Sequence, residues 1–287
     1  MFGFLNVYKS ENMTSFDVIR VLRKVLNIKQ IGHTGTLDPL AKGVLPVCIG
    51  KCTKLIDYLQ EDKGYIADIQ FGYVSETFDT ESDLKKVSNK KITDIELTGM
   101  LKNFEGEIEQ VPPVYSAIKV RGKKLYEYAR AGLTEKVDIP VRKVEISKIN
   151  LLEFNDEKQT AKIEVYCSKG TYIRSIVNDL GKMSGAGAVM SGLVRVKSGK
   201  FTIENSVPLD ELNSPEVIVK KLINPLEVLS YNSKELNQIE YRKIVTGQKI
   251  PADNQADNEI LLLTKDNNLV AIGKAEKDKI KGIKVFV

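Results

Sequence analysis

Asp38 stands directly before a proline in the glycine-punctuated run Ile31-Gly-His-Thr-Gly-Thr-Leu-Asp-Pro-Leu40. Pro39 disfavours the α conformation for the residue before it, so this carboxylate belongs to an extended loop rather than to a helix. A loop carboxylate can be presented to a ligand. It can equally hydrogen-bond its own backbone, as aspartates in Gly/Pro-rich turns do, and the residues alone leave both readings open. His33, in the same loop, is the sole histidine. A single histidine cannot build a histidine-rich metal site, and no nearby Cys or carboxylate cluster completes one, so no metal and no cofactor are expected. Cys48-x-x-x-Cys52 lacks a second pair. Cys167 with His33 is conceivable as a dyad, but Cys167 falls on the apolar face of an alternating strand and reads as a small core residue. The chain carries no G-x-S-x-G elbow, no P-loop and no G-x-G-x-x-G after a strand.

Arg174 sits in the first turn of a predicted helix, off its apolar face. A cation is slightly unfavourable there, which points to a specific anionic partner; a solvated surface arginine is the alternative. Tyr65 and Tyr172 offer rings on which a base could stack, although the apolar strand face of Tyr65 also suits core packing. Residues 119–143 are strongly basic. Eight cations (Lys119, Arg121, Lys123, Lys124, Arg130, Lys136, Arg142 and Lys143) face three anions (Glu127, Glu135 and Asp138), an excess of five that equals the net charge of the whole chain. Tyr126 and Tyr128 interleave with them, a mixture suited to phosphate contact and base stacking. A solvated charged helix is the plainer reading.

The elements that must position these residues follow from periodicity. Residues 2–7 read as a strand. Thr14 and Ser15 cap a helix over 15–26, in which Val18, Ile19, Leu22, Val25 and Leu26 fall at helical spacing. Residues 44–49 form a buried strand, 53–59 a helix, and 65–71 an alternating strand. Residues 76–91 are polar and predict an exposed loop, followed by a helix over 94–104. The prolines of Val111-Pro-Pro-Val-Tyr-Ser116 break regular structure. A strand over 161–167 precedes a helix with Ile173, Ile176, Val177 and Leu180 on one face, and 181–192 is glycine-rich. The composition changes near Tyr231. Beyond it come a helix (236–245) and three strands (260–264, 269–274 and 283–287), a small, mostly β domain.

With 287 residues, the chain is long enough for about two domains. At 42% hydrophobic and 28% charged residues it is neither fibrous nor disordered. The longest apolar run, 44–49, is far short of the ~20 residues that cross a bilayer. The N-terminus lacks the pattern of a signal peptide. Three cysteines favour a reducing cytoplasm over a disulfide framework.

At Gly32-His-Thr-Gly-Thr-Leu-Asp-Pro-Leu-Ala41 the sequence resembles the TruB family of tRNA pseudouridine-55 synthases. The similarity continues through Gly50-Lys-Cys-Thr-Lys54, Tyr65 with Phe71-Gly72, Thr77-Phe-Asp79, Pro112-Pro-Val-Tyr-Ser-Ala-Ile-Lys119, Gly122 with Tyr126, Cys167-Ser-Lys-Gly-Thr-Tyr-Ile-Arg174, Leu193-Val-Arg195 and Ser198-Gly199. It covers residues 2–210 well and the remainder loosely. The resemblance implies an α+β fold, with a mixed, mainly antiparallel sheet and flanking helices in a catalytic domain over 1–230. An RNA-gripping insertion at about 112–143 and a small PUA-like RNA-binding domain over 231–287 complete the implied organisation.

The implied activity is isomerisation of a uridine in the tRNA T-loop to pseudouridine. Asp38 corresponds to the essential carboxylate and Arg174 pairs with it. Tyr65 stacks on the flipped uracil, Tyr172 and Leu193 line its pocket, and His33 occupies the space that the extruded nucleotide leaves. Lys9, Lys119, Arg121, Lys123, Lys124, Arg130 and Arg142 are the expected RNA contacts. A cytoplasmic monomer acting on the tRNA T-stem-loop, with no membrane partner, is the expectation. A non-catalytic RNA chaperone, or a synthase acting on another RNA, would share the charge pattern. The chain departs from many relatives at Ser10, Ser82 and Val194, where proline, glycine and arginine are frequent.

Overall fold

The computed structural model describes residues 1–60, 62–134 and 137–287. Glu61, and the Glu135 and Lys136 counted above in the basic segment, lie outside the described residues.

Strand β1 (Gly3–Lys9) is almost wholly buried. Thr14 then caps α1 (Ser15–Leu26) in a reciprocal box: its hydroxyl accepts from the Asp17 amide, and the Asp17 carboxylate accepts from the Thr14 amide. Val18, Ile19 and Leu22 bury one face of α1. Two strands, β2 (Ile31–His33) and β3 (Ala41–Ile49), flank the Asp38 loop. The helix expected over 53–59 is a 3-10 helix, Gly50–Tyr58, and starts three residues earlier. Three residues per turn stack Cys52, Leu55 and Tyr58 in one row against the sheet. In β4 (Lys63–Phe71) Tyr65, Ala67, Ile69 and Phe71 face inward. The predicted polar loop contains a short hairpin, β5 (Tyr73–Val74) with β6 (Lys85–Lys86), and differs from expectation at Asp79, which is fully buried.

A second capping box, between Thr93 and Glu96, opens α2 (Asp94–Leu101), and β7 (Gly106–Gln110) follows. The basic insertion holds the hairpin β8 (Lys119–Val120) and β9 (Lys123–Lys124), then α3 (Leu125–Arg130). Its two-residue turn, Arg121-Gly122, has φ of 49° and 84°, the mirror-image turn that matches strand twist. Ile118, Leu125 and Val137 form a small separate core there. The chain returns through β10 (Arg142–Asn155), β11 (Thr160–Cys167), α4 (Ile173–Ser184) and β12 (Ala188–Ser198). The short strands β13 (Phe201–Thr202) and β14 (Val207–Pro208) and the helices α5 (Pro215–Lys221) and α6 (Pro225–Val228) complete this part.

The main sheet runs β14-β1-β3-β12-β4-β11-β10-β7, with β2 and β13 attached at its face. It is mixed: β1/β14 and β3/β12 are parallel, and the other pairs are antiparallel. A second sheet is built from β15 (Asn232–Glu235), then, after α7 (Gln238–Val245), from β16 (Ile250–Pro251), β17 (Ile260–Lys265), β18 (Asn268–Glu276) and β19 (Lys279–Val285). Its order is β15-β17-β18-β19-β16. The last strand begins four residues earlier than the apolar run 283–287 suggests, because β19 buries a single side chain, Ile280, and is otherwise half-buried to exposed. Leu262, Leu269, Ile272 and Phe286 of the second unit share one apolar cluster with Phe4, Val44, Cys52 and Phe201 of the first.

Strands β3 and β12 approach closely at Gly43, whose φ is +104° and whose added Cβ would stand 2.3 Å from the Arg195 carbonyl oxygen. Gly99, on the exposed face of α2, has nothing within 4 Å of such a Cβ. Gly43→Ala should therefore lower stability by about 2 kcal/mol or more through strain at positive φ and separation of the strands. Gly99→Ala should raise stability by about 0.5–1 kcal/mol. Urea denaturation of the two variants checks both signs.

Candidate active site

The loop between β2 and β3 has few ladder hydrogen bonds of its own, so neighbours must hold it. Ser15, at the start of α1, grips Leu37 twice: its hydroxyl accepts from the Leu37 amide at 2.8 Å and donates to the Leu37 carbonyl at 3.1 Å. The Asn12 amide donates to the Pro39 carbonyl (2.9 Å), and the Thr34 amide donates to Pro46 (3.1 Å). Arg195, only 1% exposed, points inward from β12. Its Nε donates to Val44 O (2.7 Å), Nη2 to Gly35 O (3.1 Å) and Nη1 to Thr36 O (3.4 Å). Lys9, at the end of β1, donates to the carbonyls of Met13 (2.6 Å), Ser10 (2.9 Å) and Pro39 (3.5 Å).

So held, Asp38 meets Arg174 of α4, with Nη2 2.9 Å from Oδ2. The pair is asymmetric: the arginine side chain is 7% exposed and the aspartate 36%. Arg174 has three further contacts: Nη1 donates to Thr77 O (3.0 Å), Nη2 donates to Tyr115 O (3.1 Å), and Nη1 lies 3.4 Å from Asp79 Oδ2. Asp79 in turn accepts at Oδ1 from the Glu81 amide (3.0 Å) and from the Thr77 hydroxyl. Ser82 adds a hydroxyl 2.8 Å from the Thr77 oxygen. The guanidinium is thus fixed in a buried cradle, and the Asp38 carboxylate keeps one side open.

That open side faces a cavity of about 400 Å³, a volume typical of small-molecule sites. Asp38, Tyr65, Tyr172, Arg174 and Leu193, the residues that the resemblance puts around the base, line it together. His33, expected in the place that the nucleotide leaves, is not among the lining residues. It sits on β2 beside Thr34, and its Nδ1 is buried without a hydrogen bond. Burial pushes its pKa down, and the Arg195 charge adds to the effect. Burial likewise pushes up the Tyr65 and Tyr172 phenols, the latter against the neighbouring Ser116 hydroxyl. Tyr65 and Tyr172 therefore act as neutral rings.

Of the expected RNA contacts, Lys119, Arg121, Lys123, Arg130 and Arg142 are exposed, and Lys124 is half-buried. Lys124 and Arg130 flank the Tyr126 ring, at 5.3 and 5.4 Å from its centre. Lys9 is a correction: it is fully buried, and its ammonium is committed to backbone carbonyls, so it offers no charge to an incoming phosphate. Arg195 was assigned no role from the sequence. The signal was present, since it shares the inward face of β12 with Leu193, where a buried arginine must have partners. Among the described residues, no group of three His, Cys, Asp or Glu side chains gathers to hold a metal. No helix among them is long and apolar enough to cross a membrane.

Comparison with known proteins gives a concordant family match. Residues 23–173 match the TruB family pseudouridylate synthase N-terminal domain, and 174–229 match the tRNA pseudouridylate synthase B C-terminal domain. The chain is 40% identical to the tRNA pseudouridine synthase B of Clostridium tetani, with all of both chains covered. It is 41% identical to that of Caldanaerobacter subterraneus, with 99% of each covered. Among solved structures, a Cbf5-Nop10-Gar1 complex superposes with a TM-score of 0.72 at 26% identity, covering 100% of this chain and 84% of that one. An H/ACA RNP bound to a substrate RNA containing 2′-deoxyuridine gives 0.73 at 25% identity, covering 100% and 85%.

Burial lowers the Lys9 pKa from 10.5 to about 8, against the raising influence of Asp38 and Glu81. Below pH 8 the ammonium is charged in both states, and the folded chain bears the full cost of burying it. Between about 8 and 10.5 the folded chain releases the proton first, so this contribution makes stability rise with pH; above 10.5 it is constant. The stability of the wild type relative to Lys9→Met should therefore increase by about 2–3 kcal/mol across that window. Urea denaturation of both proteins at successive pH values measures the difference.

Proposed function

The chain belongs to the TruB family of pseudouridylate synthases, and from that premise we propose that it isomerises uridine-55 in the T-loop of tRNA to pseudouridine, with Asp38 as the essential carboxylate. The observation that carries the proposal is the Asp38–Arg174 ion pair, 2.9 Å long, at the wall of a cavity lined by Tyr65, Tyr172 and Leu193. The reaction breaks the bond from uracil N1 to ribose C1′, turns the base and joins C5 to C1′. It loses no atom and changes no oxidation state. A carboxylate serves it by attacking C1′ directly or by removing the C2′ proton to give a glycal. Either route needs a carboxylate oxygen aimed at the sugar, and the buried Arg174 fork holds Asp38 in position.

The everted base costs a few kcal/mol of lost stacking, part of which a Tyr65 face restores. Tyr172 and Leu193 supply the rest of the pocket wall, and His33, just outside it, fills the place the base leaves in the loop. The basic insertion (Lys119, Arg121, Lys123, Lys124, Arg130 and Arg142) grips the T-stem-loop backbone, and the second sheet acts as a PUA-like RNA-binding unit. The names of the curated relatives support tRNA as the substrate. A monomer in the cytoplasm is the working state, consistent with three buried, unpaired cysteines.

Asp38→Asn should abolish product formation while changing tRNA affinity less than about threefold, because phosphate contacts supply most of the binding. Nucleoside analysis after incubation with unmodified tRNA, with filter binding in parallel, checks both parts. Turnover by the variant would remove Asp38 from the mechanism. Pseudouridine found only in other RNA would move the substrate, and no pseudouridine from the wild type would leave an RNA chaperone. Arg174→Lys should also lose activity, by about tenfold or more, because a point ammonium cannot span Asp38, Asp79 and two carbonyls. Single-turnover rates measure that loss.

A further inference from the structure

The strand order β12-β4-β11-β10 brings four chain segments side by side at one end of the main sheet. Each leaves a cation there. Lys63 begins β4, and its backbone is paired to Cys167 of β11 on one side and Ser198 of β12 on the other. Lys169 follows the end of β11, Lys200 follows the end of β12, and Arg142 begins β10. Neighbouring strands are ~4.8 Å apart, so the row spans about 15 Å of backbone.

The row adjoins the cavity. Lys63 and Lys169 line the cavity of Asp38, and Lys63 and Lys200 line a smaller hollow that continues from it past Thr34. Lys169, Lys200 and Arg142 are exposed. Lys63 is half-buried and donates to the Ser198 hydroxyl at 2.7 Å, which fixes its direction. The remaining charges at this end offset one another in part: Lys197 pairs with Asp62 at 2.7 Å and Lys143 with Glu107 at 2.9 Å. Glu109, in register with Lys143, and Glu145 also lie toward this end.

We propose that Lys63, Lys169 and Lys200 extend the basic insertion into a second phosphate-binding surface, which takes the RNA backbone on the far side of the everted nucleotide. This rests on the RNA-modifying function proposed above. A base can enter the cavity only if its sugar and flanking phosphates lie at the cavity mouth. The insertion approaches that mouth from Ser116 and Ala117, and the sheet end approaches it from Lys63 and Lys169. With cations on both sides, the backbone is held across the opening and the nucleotide is pulled taut toward Asp38. A groove that tracks the backbone with positive charge is the ordinary means of holding single-stranded nucleic acid.

The test measures binding of unmodified tRNA from 50 to 200 mM salt for the variant Lys63→Gln/Lys169→Gln/Lys200→Gln. It is run beside Lys123→Gln/Lys124→Gln/Arg130→Gln and the arginine set Lys63→Arg/Lys169→Arg/Lys200→Arg. The expected result is an affinity loss of about tenfold or more at 50 mM salt. The salt slope should also fall by about two to three, roughly one per phosphate contact removed, and the arginine set should keep both. If the insertion variant weakens binding and the sheet-end variant leaves affinity and slope unchanged, the second surface is overturned while the RNA substrate stands. If the arginine set fails to restore the loss, the effect is structural and the surface is again overturned. If neither glutamine variant alters binding, both basic surfaces are overturned, and wild-type pseudouridine formation in the same tRNA decides whether the RNA-modifying function stands.

Discussion

A guanidinium taken out of water must have its donors answered by fixed acceptors, and Arg174 finds them in parts of the chain far apart in sequence. Asp38 comes from the loop after β2, Thr77 and Asp79 from the polar segment after β5, and Tyr115 from the entrance to the insertion. None of these segments is held in place by a regular ladder at that point. The segment after β5 is bridged to Met190 of β12 and the Asp38 loop is gripped by Ser15 and Arg195, and the one planar group they share ties all three segments together. Removing a partner of a buried charge costs about 3–5 kcal/mol, so each segment is penalised for leaving. Asp79 is fully buried, and its own carboxylate is answered by the Glu81 amide and the Thr77 hydroxyl. The residue that most resembles a surface acid in sequence is therefore an internal fixture of the site.

Two more buried cations make the Asp38 loop rigid from behind. Arg195 and Lys9 donate between them to six carbonyls, four of which belong to residues 35–44 and two to the turn after β1. Backbone carbonyls in an irregular loop must be satisfied or remain wet. Satisfying them with cations keeps water away from the back of Asp38 and surrounds its carboxylate with positive charge. The glycines of this loop permit its path, and the cations remove the freedom that glycines bring. This division of labour explains how a segment with little secondary structure can present one oxygen pair in a fixed direction.

The legible parts of the sequence were those governed by local rules. The capped, periodic helix 15–26 was readable to the residue, and the alternation in 65–71 and 161–167 located β4 and β11, which pair at the centre of the sheet. Asp38 before Pro39 marked an extended loop position for the same kind of reason, but left a presented carboxylate and a turn acid equally open. What could not be read locally was the burial of charge. Asp79 and Lys9 look like surface residues because Asp and Lys usually are. Their burial depends on partners 95 and 30 positions away, Arg174 and Pro39. The sheet-end row of Lys63, Lys169 and Lys200 was hidden similarly, since three lysines scattered over some 140 residues become neighbours only through strand order. Strand β19 was misplaced because a strand with a single fully buried side chain carries almost no hydrophobic signal.

The insertion is tied to the site through a very short stretch. Its core has three buried residues, Ile118, Leu125 and Val137, with Tyr128 and Tyr172 packed against them, far too little apolar surface to fix its orientation independently. It leans instead on backbone contacts: the Tyr126 amide of α3 donates to Ser116 O, and the Leu125 amide donates to Ile118 O. Tyr115, the residue before Ser116, supplies the carbonyl that shares Arg174 Nη2 with Asp38. The basic insertion and the ion pair thus meet at two consecutive residues. α3 is linked to the Asp38 carboxylate through the Tyr126–Ser116 hydrogen bond, one peptide unit, and the contacts of Arg174 Nη2 with Tyr115 O and Asp38.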